Sequence, residues 1–469
     1  DACMEDVDVC PKCGGHHVHQ DEDVLDTWFS SQLWTFATQG WPEHPERLEG
    51  HHPTTALVTA RDIIALWVAR MIMSSTYFLK EIPFKDVVIY ATILAKDGTR
   101  MSKSKGNGVD PMDLISMYGA DAMRFNLLTL VTNNQDVRFD ADIDKKTHEL
   151  LGSPRTESAR AFVTKIWNAS RFVLGNLDGF TPGEPRAVSQ ADAWIFSRLA
   201  KLSAEVTKDI ETYQFGEMAR ELHAFFWNEF CDWYIEFSKA SLREGADPVA
   251  RLQTQRNLVY VLDNALRLLH PAMPFVTEAI WENVPHAEGE APALMMAKWP
   301  EPESLASLVD EESERAVSLL CDVVSAVRST RARYGISPKQ ELPVVLRAGF
   351  ENARVLEGLK SQIISMARAS ELSIVPSDAH KPAESACVVA HGCEVYCVLT
   401  GLIDFEAERT RLTKERATLQ KDEAKFAKKL SNPGFLAKAA PEIVEKDTAK
   451  LAELRDKLAR VEEQLAELG

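Results

Sequence analysis

Arg100-Met101-Ser102-Lys103-Ser104-Lys105-Gly106-Asn107 follows directly on an Asp97-Gly98 turn, so that small and flexible residues carry three cations on a loop. Such a layout suits a mobile segment that closes over a polyphosphate and neutralises the charge that develops as it is cleaved. The residues before the loop set the fold around it. Residues 86–94 are rich in Val and Ile, too apolar for an edge, and predict one buried strand. Residues 62–77 place Ile63, Leu66, Trp67, Arg70, Met71 and Ser74 at helical spacing, with Pro83 beyond the end. Helix followed by strand is an α/β pattern.

Downstream the pattern changes. Residues 156–174, 192–213, 215–242 and 248–269 repeat apolar positions three and four apart, which predicts a helix bundle punctuated by Pro182-Gly183-Glu184-Pro185 and Pro271-Ala272-Met273-Pro274. Residues 301–400 return to mixed character, with helices expected at 311–334 and 352–369 and strands at 342–346, 387–390 and 394–399, a small α/β domain. The tail is the most regular piece. Leu451, Leu454, Leu458, Val461, Leu465 and Leu468 follow a heptad seam, and Phe405, Leu412, Leu419 and Phe426 recur every seven residues. Asn432-Pro433-Gly434 separates the two arms, which predicts an antiparallel coiled-coil hairpin.

Charge and composition bound the function. The 469 residues carry 53 Lys or Arg and 70 Asp or Glu, a formal charge of −17 that excludes a uniformly basic nucleic-acid coat and leaves room for a local patch. The first arm of the tail is that patch: residues 409–438 hold nine cations (Arg409, Arg411, Lys414, Arg416, Lys421, Lys425, Lys428, Lys429, Lys438) against Glu415, Asp422 and Glu423, which suits a phosphate backbone. The apolar runs fall far short of the ~18 residues needed to cross a bilayer. Cys231, Cys321, Cys387, Cys393 and Cys397 stand singly among apolar residues, as reduced core thiols of a cytoplasmic protein do. Cys10-Pro11-Lys12-Cys13 is a knuckle of zinc type, although two thiolates make only half of a tetrahedral site. Asp1-Ala2-Cys3-Met4-Glu5 has neither an initiator Met nor the regions of a signal peptide, so the chain is expected to begin inside a longer polypeptide.

The loop at 100–107 resembles the KMSKS signature of the class I aminoacyl-tRNA synthetases, with Arg100 in place of the first Lys. The likeness narrows to the valine-activating branch. Asp23-Val24-Leu25-Asp26-Thr27-Trp28-Phe29-Ser30-Ser31, Asp62-Ile63-Ile64 with Trp67-Val68-Ala69-Arg70-Met71, Lys165-Ile166-Trp167-Asn168-Ala169-Ser170-Arg171-Phe172, residues 226–234 and 268–275 are all similar to segments of that branch. The heptad tail with Leu430-Ser431-Asn432-Pro433-Gly434-Phe435 sets it apart from the isoleucine and leucine branches.

The resemblance implies a multidomain α/β plus all-α chain: the second half of a Rossmann-type catalytic domain over 1–135, a helical anticodon-binding domain over 136–300, a small α/β connector over 301–400 and a tRNA-binding coiled-coil hairpin over 401–469. It implies ATP-dependent ligation of valine to its tRNA through an adenylate, with Mg accompanying ATP, by a monomer. Lys103, Arg100, Ser102, Ser104 and Lys105 would act in the loop; Lys103, Met101 and Asp62 would hold ATP or the adenylate; Trp28, Ile63 and Trp67 would line the valine pocket. A β-branched aliphatic substrate needs rigid apolar walls, which indoles supply. The pair before Asp62 is Ala60-Arg61, where the family usually begins with Gly, a change that reduces close backbone approach. Arg409, Arg411, Lys414, Arg416, Lys421, Lys425, Lys428 and Lys429 would grip tRNA phosphates, and Cys10 and Cys13 would take zinc. The family's second signature, HIGH, finds no match, so the chain alone is expected to be inactive, with HIGH and the editing domain upstream. Another branched-chain synthetase and a non-catalytic tRNA-binding module are the alternatives.

Overall fold

The computed structural model describes residues 1–469 except 1, 2, 4, 103, 104, 132–134, 145, 287, 288, 404, 433, 434, 436–440, 468 and 469. Lys103, Ser104, Pro433, Gly434, Lys438 and Leu468 therefore lie outside the described residues, as does the side chain of Phe405. The chain divides into two compact units, one of residues 1–167, 205–223 and 269–279, the other of 168–204, 224–268 and 280–469.

The first unit opens with the short helices α1 (Thr27–Ser31) and α2 (Trp34–Ala37). A parallel pair follows, β1 (Thr54–Ala60) with β2 (Phe84–Tyr90), in register from Thr54 opposite Phe84 to Ala60 opposite Tyr90. The connection runs through a 3-10 turn at Arg61–Ile63, a π-helical turn at Ile64–Val68 and α3 (Ala69–Phe78). Leu57, Val68, Met71 and Phe84 close the core between strand and helix, with Trp67 packed against it. A second parallel pair, β3 (Ile93–Leu94) with β4 (Val137–Arg138), brackets the cationic loop, α4 (Pro111–Tyr118) and α5 (Ala120–Leu130). The antiparallel hairpin β5 (Asp142–Ile143) and β6 (Leu150–Gly152) precedes α6 (Pro154–Gly175).

Three expectations are corrected here. The single strand at 86–94 is two strands with a break at Ala91-Thr92. It is not buried, since Val87 is 39% and Ile89 50% exposed, as is Val58 of β1 at 59%; a parallel pair needs cover on both faces, and within this unit one face is open. The helix at 62–77 is α-helical only from Ala69, because the turns at 61–68 carry the chain out of the strand.

The helices of the bundle match the periodicity: α7 (Gln190–Glu211), α8 (Phe215–Ala224), a π-helical stretch Phe225–Tyr234 continuing as α9 (Ile235–Leu242), and α10 (Pro248–Leu269). In the first unit, Phe125 of α5 and Phe162 of α6 pack with ring centroids 5.0 Å apart, and His223 of α8 sits 4.5 Å from Phe162. The Pro271–Pro274 punctuation is also fastened there. Buried Asp121 accepts the backbone N–H of Phe275 (3.2 Å) and Val276 (2.6 Å) at the start of α11 (Pro274–Trp281), and Arg124 donates to the carbonyls of Pro271 and Ala272. In the second unit, Tyr234 donates to Asp192 at 2.7 Å, Arg198 forks onto Glu229 at 2.9 and 3.0 Å, and Lys201 meets Glu314 at 2.8 Å.

After α12 (Pro302–Leu305), the second unit builds an α/β layer from α13 (Glu311–Arg333), β7 (Leu342–Ala348), α14 (Phe350–Gly358), α15 (Lys360–Ala367), β8 (Ala369–Pro376), β9 (Ser385–Ala390) and β10 (Cys393–Val398). The sheet order is β8-β7-β10-β9, with β7 and β8 parallel and the other pairs antiparallel. The helix expected at 352–369 is two helices, and its last residue opens the unforeseen strand β8. The tail forms α16 (Phe405–Leu430) and α17 (Pro441–Glu467). They lie antiparallel: Lys429 pairs with Asp447 at 2.7 Å and Glu423 with Arg455 at 2.9 Å, while Leu412, Leu454 and Val461 are buried.

Candidate functional site

The cationic loop is built from its base. Leu94 and Arg100 form an antiparallel bridge, closed by Gly98 N–H to the Ala95 carbonyl and Ala95 N–H to the Thr99 carbonyl. Gly98 has φ +84°, a conformation that favours glycine. Asp97 accepts the N–H and hydroxyl of Thr99, and these bonds, the backbone one foremost, lower its carboxyl below the ordinary range.

Asn107 then closes the loop across its mouth. Its Oδ1 accepts Ser102 N–H at 2.9 Å, and its Nδ2 donates to Thr99 Oγ1 at 3.0 Å and to the Arg100 carbonyl at 3.1 Å. Met101 turns inward onto the core of Leu114, Leu130, Phe139 and Ala141. Lys105 and Arg100 stay exposed. One side chain on the outgoing limb thus satisfies three groups of the incoming limb in a loop that carries like charges, a role the sequence alone did not attach to Asn107.

Arg100 donates from Nη2 to Asp62 Oδ2 at 2.6 Å, which brings the loop to the turn after β1. Arg61 instead forks onto Asp136 at 3.1 and 2.9 Å, and Asp136 also accepts Thr92 N–H. Arg61 is the foremost cause of the lowered Asp136 carboxyl. Arg61, next to the Ala60 that stands in the family's glycine position, therefore ties the end of β1 through Asp136 to Thr92 in the segment joining β2 and β3. Nearby, Trp67 donates from Nε1 to the Ser31 carbonyl at 3.1 Å, so the π-helical turn that carries Trp67 and follows Ile63 meets the helix carrying Trp28. Trp28, Ile63 and Trp67 are each half-buried.

Cys10 and Cys13 form a knuckle in which Gly14 N–H bonds the Cys10 carbonyl and Cys10 N–H bonds the Gly15 carbonyl. The N–H groups of Cys13 first and Lys12 second hold the Cys10 thiol below its ordinary value. The knuckle fits two ligands of a zinc ion. Among the described residues no group of three or more His, Cys, Asp or Glu is placed to hold a metal, and His16, His17 and His19 do not complete the site.

On the tail, Arg409, Arg411, Lys414, Lys421, Lys425, Lys428 and Lys429 are exposed and Arg416 is half-buried. Arg411 pairs with Glu415 at 2.9 Å and Lys429 with Asp447.

Residues 2–140 match the family of class I tRNA synthetases (I, L, M and V), 192–346 the anticodon-binding domain of tRNA ligase, and 404–469 the valyl tRNA synthetase tRNA binding arm. The chain is 43% identical over 453 residues to the valine–tRNA ligase of Carboxydothermus hydrogenoformans, covering 95% of this chain and 49% of that protein. The chain belongs to the valine–tRNA ligase family. The valine–tRNA ligase of Geobacter sulfurreducens is 41% identical over 458 residues, 96% of this chain and 50% of that protein. The chain thus spans about half the length of the valine–tRNA ligases it matches. Among solved structures, the Agrobacterium radiobacter K84 agnB2 LeuRS in its ternary complex with tRNA and LeuAMS is similar at a TM-score of 0.49 and 16% identity, over 78% of this chain and 43% of that one. Among the described residues of this valine–tRNA ligase family member, no helix is long and apolar enough to cross a membrane.

Proposed function

We propose that this chain supplies the KMSKS-loop half of a site that activates valine with ATP, together with the helices that hold valine tRNA. The observation that carries the reading is the loop itself, closed at its mouth by Asn107 and joined through Arg100 to Asp62. A loop so built can keep cations together near a nucleotide, and swing as one piece when phosphates arrive. Lys103 is assigned to ATP, with Arg100, Met101, Ser102, Ser104 and Lys105 shaping the loop around it. Asp62 is assigned to the ribose, which must then displace Arg100 from its carboxylate. Trp28, Ile63 and Trp67 are assigned to the valine side chain. Magnesium enters with ATP. Zinc at Cys10 and Cys13 requires two further ligands.

The division into a catalytic part at 1–135, an anticodon-binding part at 136–300, a connector at 301–400 and a coiled-coil arm at 401–469 belongs to the same proposal. So do a monomeric state, a cytoplasmic location, and phosphate contacts from Arg409, Arg411, Lys414, Arg416, Lys421, Lys425, Lys428 and Lys429. The exposed strand face of β1 and β2 supports completion of the catalytic sheet by other polypeptide.

The test is binding of the chain to valine tRNA and isoleucine tRNA by fluorescence anisotropy, beside a truncation ending at Gly401. Preference for valine tRNA, weakened by the truncation, is the expected result. Equal binding of the two tRNAs sinks the valine reading. Pyrophosphate exchange after mixing the chain with the amino-terminal half of the Carboxydothermus relative tests the catalytic part, with valine-dependent exchange expected.

A further inference from the structure

We propose that His148, carried on the β5–β6 hairpin, is a positioning residue that braces the cationic loop from behind through Gly106. Its chemical consequence rests on the reading of that loop as the phosphate-handling segment. His148 lies outside every motif named above and stands 42 residues from Gly106, with its Nδ1 3.1 Å from the Gly106 carbonyl.

Two observations give the contact its meaning. Gly106 has φ +60°, and a Cβ built there would overlap Nδ1 and Cε1 of the His148 ring, so the ring occupies the space that only a glycine leaves. His148 itself has φ +61°, a left-handed conformation that glycine adopts freely and that side chains adopt uncommonly, Asn, Asp and His more than others. The turn alone would be better served by glycine. What histidine adds is the ring, and the ring lies on the loop.

The hairpin is stiff enough to serve as a brace. His148 N–H bonds the Asp144 carbonyl and Asp144 N–H the Glu149 carbonyl, both at 2.9 Å. The Asp144 carboxylate accepts the N–H of Lys146 and Thr147, and these bonds, Thr147 foremost, lower its carboxyl below the ordinary range. Lys96, in the turn that feeds the loop, pairs with Asp142. Between loop and hairpin lies a cavity of about 350 Å³, lined by Lys105, Gly106 and Asn107 on one side and Asp142, Asp144 and His148 on the other. The loop therefore has a hollow behind it, and His148 spans that hollow. Asn107 fixes the shape of the loop and His148 its direction, while Lys105 stays exposed at the rim of the hollow.

Hydrogen exchange by mass spectrometry on the intact chain tests this. His148→Gly relieves the backbone strain and removes the ring, whereas His148→Asn keeps the turn and places Nδ2 where Nδ1 was. Amides of residues 105–109 are expected to exchange about fivefold to tenfold faster in H148G, the factor for one lost hydrogen bond, with amides of 111–130 and of the hairpin unchanged. H148N is expected to restore most of the protection. Unchanged exchange in H148G overturns the proposal, and so does loss of protection in hairpin and loop together without rescue by asparagine.

Pyrophosphate exchange in the mixture with the relative's amino-terminal half separates the two claims. A lower kcat in H148G at unchanged valine KM supports positioning for chemistry, and a change in valine KM alone overturns it. A wild-type mixture without exchange sinks the phosphate reading and leaves the brace to be judged by the amides.

Discussion

Glu221 on α8 faces Asp209 on α7, and Asp209 Oδ2 and Glu221 Oε2 are buried without a donor. Burial, then the charges of Asp209, Glu205 and Glu217, push the Glu221 carboxyl from 4.5 up to about 7. Asp209 is raised as well, by burial first and Glu217 next, with Lys208 and Arg220 pulling it back. The charge of Asp209 opposes ionisation of Glu221, so the two titrations are coupled. A carboxyl whose folded value lies above its unfolded one stabilises most below pH 4.5, and that contribution is lost as pH rises through about 7. Glu221→Gln should therefore raise the urea midpoint above wild type at pH 8, and the gain should vanish at pH 5; an equal offset at both values would show that the Glu221 carboxyl is not raised on folding. At the loop, Asn107→Ala removes bonds to Ser102, Thr99 and Arg100. Tryptic cleavage after Arg100 or Lys105 should rise severalfold while the thermal midpoint holds, and unchanged cleavage would deny Asn107 its closing role. The loop was legible because its cations, serines and glycine are contiguous. Asn107 was visible without a role, since three bonds across a loop leave no spacing pattern. His148 was invisible, because no local pattern reports a histidine set at positive φ against a glycine far away in sequence.

Elements were most legible where one period ran long. The helices around α6, α7, α10 and α13 agree with their patterns to within about two residues. The misreadings fall where the period is short or broken. Asp86 to Leu94 looked like one strand because Ala91 and Thr92 are as compatible with a strand as their neighbours, and only the Asp136 carboxylate on Thr92 N–H marks the break. Strand β8 was missed just beyond the expected helix because Ser370 and Glu371 interrupt any alternation, and its partner β7 is parallel and distant. Buried Arg331 of α13 is what fastens this part: it donates to the carbonyls of Ser337, Gln340, Ala367 and Arg368. Arg331→Met leaves four carbonyls wanting and should cost about 2–4 kcal/mol by chemical denaturation, whereas a loss under 0.5 kcal/mol would mean that water replaces the guanidinium. Leu412 is fully buried between the tail helices. Leu412→Ala should cost about 2–3 kcal/mol, seen as early melting of the tail by hydrogen exchange, and a tail of wild-type protection would place its stability elsewhere on the seam.

At the scale of the whole molecule, a charge of −17 and a cationic arm make opposite demands on a polyanion. The acidic remainder repels phosphate at long range, so attachment through the arm should depend steeply on salt. Arg411 and Lys429 already have acidic partners on the hairpin and Arg409 lies 3.9 Å from Glu406, so Lys414, Arg416, Lys421, Lys425 and Lys428 should release most counterions. Removing the arm at Gly401 should lower the slope of log affinity against log salt by about 4 to 5, and an unchanged slope would relocate the phosphate contacts to another surface.

The antiparallel tail carries a rule about permissible length. Its 26-residue first arm reaches about 39 Å, and the pairings of Lys429 with Asp447 and Glu423 with Arg455 hold only while both arms keep step. Matched insertion of seven residues in each arm would extend the reach by about 10.5 Å and leave the cations pointing as before. A single added residue would swing everything beyond it through about 100° and turn the cations toward the partner helix. Drift in the reach of this arm among descendants should therefore be quantised, proceeding by paired sevens.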